Sequence, residues 1–362
     1  MRTWCDINLK ALRHNLRWLR SLAPAQTKVM GLVKADAYGH GLVPISRFLQ
    51  TEGCEVFGCA HVHEAITLRA AGIHRPIFLF SAFLAEELPE ILRCKAIVTL
   101  SSLEEAKQAQ QVAKRLRQKL AVHVKIDTGM GRLGVSTERA KPLLDAVRRM
   151  DSLQLKGIFT HFAAPDNNPD FTMAQWSRFQ PFLGEHPAHH TSSSAAILRK
   201  IDPQAAFIRP GLSLYGISPI PRYQKFLQPV LTWKARVTLV KTMAPGSPLS
   251  YGSTYQTKHR EKIAVVSVGY GDGYFRLLSN QSQVLIGGKR CPVRGRVTMD
   301  QILVGVPRVS EVRSGDEVVL IGSQKKEQIL ASELARLAQT IPYEIWCHIT
   351  PRVPRIYHEP ST

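Results

Sequence analysis

Eight short apolar runs recur through residues 29–208, and no other feature of the chain restricts its fold so strongly. They fall at 29–33, 56–60, 77–80, 96–99, 121–126, 155–160, 188–190 and 206–208. Amphipathic stretches lie between most of them, as at 104–116 and 137–150. Strands that alternate with helices imply a parallel sheet, and eight of them suit a closed (β/α)8 TIM barrel better than an open doubly wound sheet. No GxGxxG follows the first run, so a dinucleotide fold gains no support. Ahead of that run, Asp6 or Asn8 can cap a helix built on Leu9, Leu12, Leu16 and Leu19.

The rhythm changes after Tyr215. Pro219, Pro221 and Pro229 break the chain, and the apolar runs beyond them (233–240, 263–268, 283–286, 302–306 and 317–321) are separated by Gly- and Pro-containing turns such as APGSP and GGKRCP. Such spacing predicts a second, mostly β domain with one helix near 331–338. The expected division is a barrel over 1–230 and a β domain over 231–362.

With 362 residues the chain exceeds the roughly 250–300 at which one core gives way to two. Its N-terminal stretch has no apolar core of a secretory signal, and no run reaches the roughly 18 apolar residues needed to span a bilayer. Six scattered cysteines without a CxxC are expected to be reduced thiols, which fits a cytoplasmic setting. The formal charge of +20 is dispersed along helical stretches rather than gathered in a basic-aromatic stripe, so neither a nucleic-acid nor a membrane partner is expected.

Reactive side chains follow the barrel runs, where a scaffold of this kind does its chemistry. The first run ends at Lys34, with Tyr38 four residues on; the fifth leads through TGMG to Arg132; the sixth ends in Thr160-His161; the seventh precedes Ser192-Ser193-Ser194; and the eighth ends in Arg209-Pro210-Gly211. Each has a plainer reading: Lys34 as a solvated turn lysine, His161 as a satisfied core histidine, the arginines as ion-pair partners, the serines as a helix cap. Together they describe more. A lysine can form a Schiff base with an aldehyde, and a hydroxyl-rich helix start beside a glycine after the eighth strand suits a phosphate. Pyridoxal phosphate combines the two groups, and its chemistry is the stabilisation of amino-acid carbanions. No metal site is expected.

From residue 33 to residue 345 the segments VKADAYGHG, KIDTGMGRLG, THFA, SSAA, RPGLSLYG, LSYGSTY, GYGDGY, GRVTMDQ and IPYEI follow in order, and in this the chain resembles the alanine racemase family of barrel-type pyridoxal-phosphate enzymes. The resemblance implies pyridoxal 5'-phosphate as cofactor, alanine as substrate, and D-alanine supply for bacterial peptidoglycan. It implies that Lys34 carries the cofactor as an internal aldimine and that Lys34 and Tyr251 serve as the two catalytic bases. Tyr38, Ser194 and Tyr343 correspond to phosphate ligands, with backbone support from Gly211. Arg209 corresponds to the arginine facing the pyridine nitrogen, with His161 behind it. Arg132 and Met299 correspond to groups at the substrate carboxylate, and Lys125 to a lysine, often carbamylated, that braces Arg132. Asp166, Arg276, Arg296 and Ile341 match the approach corridor, and Asp300 is grouped with them. The family assembles as a homodimer whose β domains complete the partner barrels. One departure is Ser193, which stands where the family usually has asparagine.

Inverting a carbon through a planar intermediate requires a base on each face. An arginine at the pyridine nitrogen has no proton to give, which favours racemisation over transamination. The alternatives on the same scaffold are a broad-specificity or serine racemase, since one hydroxyl is worth only about 1–3 kcal/mol in such a pocket. A non-enzymatic pyridoxal-phosphate-binding protein would not need Tyr251.

Overall fold

A computed structural model describes residues 1–306 and 311–359. The chain divides into two compact units: Arg13–Ala37 with Gly41–Gln228, and Met1–Leu12 with Tyr38–His40 and Pro229–Thr362.

The first unit is the barrel. Parallel pairing runs from Lys28–Leu32 through Val56–Cys59, Ile77–Leu79, Ile97–Leu100 and Leu120–Asp127 to Leu153–Phe159. The seventh position is filled by two short pieces. His189–His190 pairs with Leu153–Phe159, while Ser192–Ser193 pairs with Phe207–Arg209, which returns to the first strand with Ile208 opposite Val29. All eight expected runs are strands, and helices cover them. Val56–Cys59 and Ile77–Leu79 are buried at every position, as expected of parallel strands covered on both faces. The helix Leu103–Arg115 shows the local logic. Ser102 Oγ accepts the Glu105 N–H at 3.1 Å, acidic residues occupy the first turn and basic ones the last, and Ala106, Ala109 and Ala113 form the buried stripe.

The barrel centre holds two imidazoles. His123 and His190 are buried among Phe78, Phe159 and Phe207, with the His190 ring stacked on Phe159 at 4.6 Å. The Arg209 guanidinium donates to His190 Nδ1 at 2.7 Å, so the His190 hydrogen must sit on Nε2, from which it is donated to His123 Nδ1 at 2.9 Å. Both rings are therefore neutral.

The second unit is mostly β. Its long strand Leu231–Met243 pairs antiparallel with Glu261–Val266, Glu317–Gln324 and Thr3–Asn8, and Thr3–Asn8 pairs in parallel with Arg355–His358. The partition thus departs from one cut near residue 230 in two places. The first twelve residues join the β unit because Thr3–Asn8 is a strand of its sheet, a strand not expected from the sequence. Asn8, not Asp6, caps the helix Leu9–Ser21, its Oδ1 accepting the Ala11 N–H at 2.9 Å. Asp6 instead pairs with Lys234 and His358 at 3.1 and 2.9 Å.

Tyr38–His40 joins the β unit as well. Arg355 Nε donates to the Gly39 carbonyl at 3.1 Å and the Tyr357 hydroxyl to that of His40 at 3.0 Å. The helix Ala331–Leu337 is present, and a second one not foreseen, Pro342–Cys347, comes after it. Cys5, Cys54, Cys59, Cys94 and Cys291 are buried thiols, and burial pushes Cys5 and Cys54 up to about 12, where they are unreactive. Among the described residues, no helix is long and apolar enough to cross a membrane.

This packing has two measurable outcomes. Gly39 has φ +76°, and a Cβ there would run into the Trp346 carbonyl. Gly39→Ala should therefore lose about 2 kcal/mol or more of stability, read as a lower urea midpoint; an unchanged midpoint would refute the close approach. Burial, followed by the His186 and Arg209 charges, holds His123 down from 6.5 to about 3. The unfolded chain takes up this proton near pH 6.5 and the folded chain does not. The contribution is thus complete above that pH and falls by about 1.4 kcal/mol per pH unit on acidification, until His123 itself titrates. His123→Gln keeps an acceptor for His190 and should flatten the acid limb of thermal stability by one proton. Equal limbs would contradict the neutral ring.

Candidate active site

Arg209 closes the eighth barrel strand and is 3% exposed. It donates to the carbonyls of His190, Thr160 and Thr191 at 2.6, 3.0 and 2.9 Å, and to Nδ1 of His190 and His161 at 2.7 and 3.2 Å. Both terminal nitrogens are used, while Nε–H makes no hydrogen bond among the described residues. A guanidinium has five N–H donors, so one remains for an acceptor at the barrel mouth. Burial lowers the Arg209 pKa to about 9, which leaves it protonated at neutral pH. It forms no ion pair among the described residues. A negative charge that acts on it is Asp202, which accepts from Thr191 Oγ1 at 2.8 Å.

Other cations share this mouth. His161 is held well below its ordinary value by burial first, then by the charges of Arg209, Lys125, Arg132 and Lys34. Its Nδ1 accepts from Arg209, so the ring is neutral with hydrogen on Nε2. Lys125 is 2% exposed; burial, and next the Arg132 charge, lower it to about 8. Arg132 is exposed, on a loop held by Asp127, whose carboxylate accepts the N–H groups of Gly129, Met130 and Gly131 between 2.8 and 3.2 Å.

Lys34 stands two residues beyond the first strand and is half-buried. The backbone after it turns at once. Ala35, Asp36, Ala37 and Tyr38 have φ of 51°, 54°, 54° and 54°, so Lys34–Gly39 is a helical turn of left hand. Each L-residue in that conformation costs roughly 1–2 kcal/mol, and surrounding bonds must hold it. Ala37 N–H donates to the Val33 carbonyl and Gly41 N–H to that of Asp36, both at 2.8 Å, while Asp36 Oδ1 takes the Leu42 N–H at 2.6 Å.

At Ser194, the first residue of the helix Ser194–Arg199, Oγ accepts the N–H groups of Gly211 and Ser213 at 3.1 and 3.3 Å. The Gly211 N–H is thus already engaged. With both lone pairs used, the Ser194 hydroxyl hydrogen is left for an outside acceptor. Ser213 Oγ nearby is buried with no partner among the described residues. Two hydroxyls with hydrogens to give suit a phosphate. Ser193 is the N-cap residue but makes no side-chain cap bond.

The β unit carries the other predicted residues. Tyr38 and Tyr343 lie with ring centroids 5.6 Å apart. Tyr251 is 72% exposed in a short turn, and the Arg296 guanidinium lies against the adjacent Gly252. Met299 is 53% exposed; its carbonyl accepts the Gly271 N–H at 2.9 Å. Asp300 pairs with Arg352 at 2.8 Å. Arg276 and Ile341 are exposed, as is Asp166 in the barrel unit, whose carbonyl receives an Arg199 bond at 2.9 Å.

His190, which follows the seventh run, and three residues not singled out from the sequence support these groups: His123 behind His190, Gln175, and Glu64. Gln175 Nε2 donates to the His161 carbonyl at 3.2 Å, and Oε1 accepts the Ala163 N–H at 2.8 Å. Asp127, two residues before Gly129, carried a readable Asx-turn signal.

Comparison with known proteins agrees across the whole chain. Residues 7–219 match the family described as alanine racemase, N-terminal domain, and residues 230–357 the alanine racemase C-terminal domain. An alanine racemase of Methylacidiphilum infernorum is 44% identical over 98% of this chain and 92% of its own length. One of Carboxydothermus hydrogenoformans is 42% identical over 98% and 99%. Among solved structures, alanine racemase from D-cycloserine-producing Streptomyces lavendulae superposes with a TM-score of 0.94 at 32% identity, covering 100% and 98% of the two chains. That of Clostridium difficile 630 gives 0.93 at 34%, covering 99% and 96%. The chain belongs to the alanine racemase family of barrel-type (fold type III) pyridoxal-phosphate enzymes.

Proposed function

We propose that this protein interconverts L-alanine and D-alanine with pyridoxal 5'-phosphate, and so supplies D-alanine for peptidoglycan. The observation that carries the reading is full-length membership of the family with the reactive groups retained at the barrel strand ends.

The residues present suit the cofactor. Lys34 offers its amine to the aldehyde, and Ser194, Tyr38 and Tyr343 offer hydroxyls to the phosphate, with Gly211 holding Ser194 in place. The spare Arg209 Nε–H suits a neutral ring nitrogen, with His161 beside the guanidinium. When bound, pyridoxal phosphate supplies the electron sink that makes an amino-acid α-proton removable.

The side chains then divide the remaining work. Lys34 Nζ takes or returns the proton on one face of the α-carbon, and Tyr251 Oη on the other. Arg132 and the Met299 backbone hold the substrate carboxylate. Lys125, partly uncharged near pH 8, stands behind Arg132 without a full opposing charge. Arg209, already protonated, keeps its proton, which disfavours transamination. Arg276, Arg296, Asp300, Asp166 and Ile341 line the approach.

A phenol exposed to 72% suits a base completed by a second copy of the chain, and a homodimer with composite sites is the assembly proposed. Alanine is the preferred substrate because two aromatic rings near the carbon favour a methyl group. Serine turnover is expected to be lower, within the span of about 1–3 kcal/mol that one hydroxyl is worth.

Purified protein loaded with pyridoxal phosphate should invert either alanine enantiomer with solvent proton exchange, and Lys34→Ala should not. Inversion of neither enantiomer, or undiminished inversion by Lys34→Ala, would overturn the assignment. Mixing Lys34→Ala with Tyr251→Phe chains tests the composite site. Random reassortment places roughly a quarter of all sites in an intact state, and recovery near that level is expected. Heterodimers without gain over either parent would place both bases in one chain.

A further inference from the structure

We propose that Glu64 is a positioning residue for Lys34, acting by holding the left-handed turn that begins directly after the lysine. Glu64 lies in the first turn of the helix Val62–Ala70, on the barrel strand connection next to that of Lys34. Its carboxylate accepts the Ala35 N–H through Oε1 at 2.6 Å, and through Oε2 the N–H groups of Ala60 at 2.7 Å and His61 at 3.4 Å.

The plain account is a capping box, in which a residue at this place returns a bond to the N-cap backbone. The distances argue for more. The bond to the N-cap residue, His61, is the longest of the three, while the two short bonds go to Ala60 at the end of the second strand and to Ala35 directly after Lys34. One carboxylate thus fixes the entry to an unfavourable stretch of backbone against a rigid strand end. Ala35 begins a run of five residues with positive φ, of which only the last, Gly39, is glycine. A right-handed or extended alternative is intrinsically preferred at each of the other four, and adopting one would swing the Lys34 side chain from its place. Ionised carboxylates form the stronger class of bond to backbone N–H. A glutamine offers only one acceptor oxygen and cannot serve both sides.

The inference rests on the reading of Lys34 as the cofactor-bearing base, so the test begins with borohydride trapping and peptide mapping of the wild-type holoenzyme. Label away from Lys34 would remove that reading, while hydrogen exchange would still judge the turn. Four holoenzymes are compared: wild type, Glu64→Gln, Ala35→Gly and the double variant. Hydrogen exchange of the peptides spanning 34–39 and 62–70, kcat and KM are measured for each. Glu64→Gln should speed exchange across the turn and lower kcat about 10- to 100-fold with a smaller change in KM, the expected result of misplacing a reacting group. Ala35→Gly alone should stay near wild type, since glycine adopts positive φ freely. Added to Glu64→Gln, it should recover a large part of kcat and of the exchange protection.

That rescue separates the proposal from a helix cap, which a glycine at position 35 cannot restore. Unchanged exchange in Glu64→Gln would overturn the proposal. So would faster exchange confined to 62–70, or a loss of kcat that Ala35→Gly leaves untouched.

Discussion

The barrel is organised around a cation that forms no ion pair among the described residues. Arg209 is buried, and strand-end carbonyls and two imidazole nitrogens carry its charge. Charge-assisted bonds of this kind contribute roughly 1.5–3 kcal/mol each, and together they offset part of the desolvation of a single guanidinium. Because arginine only donates, it dictates the protonation of its neighbours. His190 and His161 must both present a bare Nδ1, and His123 must accept from His190 in turn. Asp202 acts at one remove through Thr191, close enough to support the cation and too far to quench it. The result is a rigid donor with one N–H to spare, backed by neutral rings.

Burial, and after it the same accumulation of positive charge, sets the state of the other groups. Lys125 and His161 are both pushed toward their neutral forms, by desolvation first and the neighbouring cations second. A mouth that disfavours extra positive charge within itself favours an anionic occupant. Two hydroxyls next to the eighth strand, those of Ser194 and Ser213, retain hydrogens that a phosphate can accept.

The segment from Lys34 to His40 divides its allegiance. Its first part belongs with the barrel, and Tyr38–His40 with the β unit. There Arg355 and Tyr357 take its carbonyls, and Gly39 leaves room for the Trp346 carbonyl. The backbone of Ala35, Asp36, Ala37 and Tyr38 runs left-handed, against the intrinsic preference of each residue.

The eight barrel strands were legible because strands buried on both faces must be continuously apolar, and the helices because an apolar stripe at helical spacing survives in any context. Lys34, His161 and Arg209 stood out as candidates for a similar reason: they come directly after apolar runs of strand length. Three features depended on tertiary structure. Thr3–Asn8 is a strand because it finds Leu231–Met243 and Arg355–His358, partners more than two hundred residues away, which no local pattern announces. The hand of the turn after Lys34 contradicts the right-handed preference of Ala, Asp and Tyr, and only bonds to Glu64 and other distant groups decide it. The proton positions on His190 and His123 result from the one-way donation of a guanidinium brought to them by barrel closure. Sequence alone determined which side chains stand at the strand ends; closure decided which of them are neutral, which donate, and what holds the lysine.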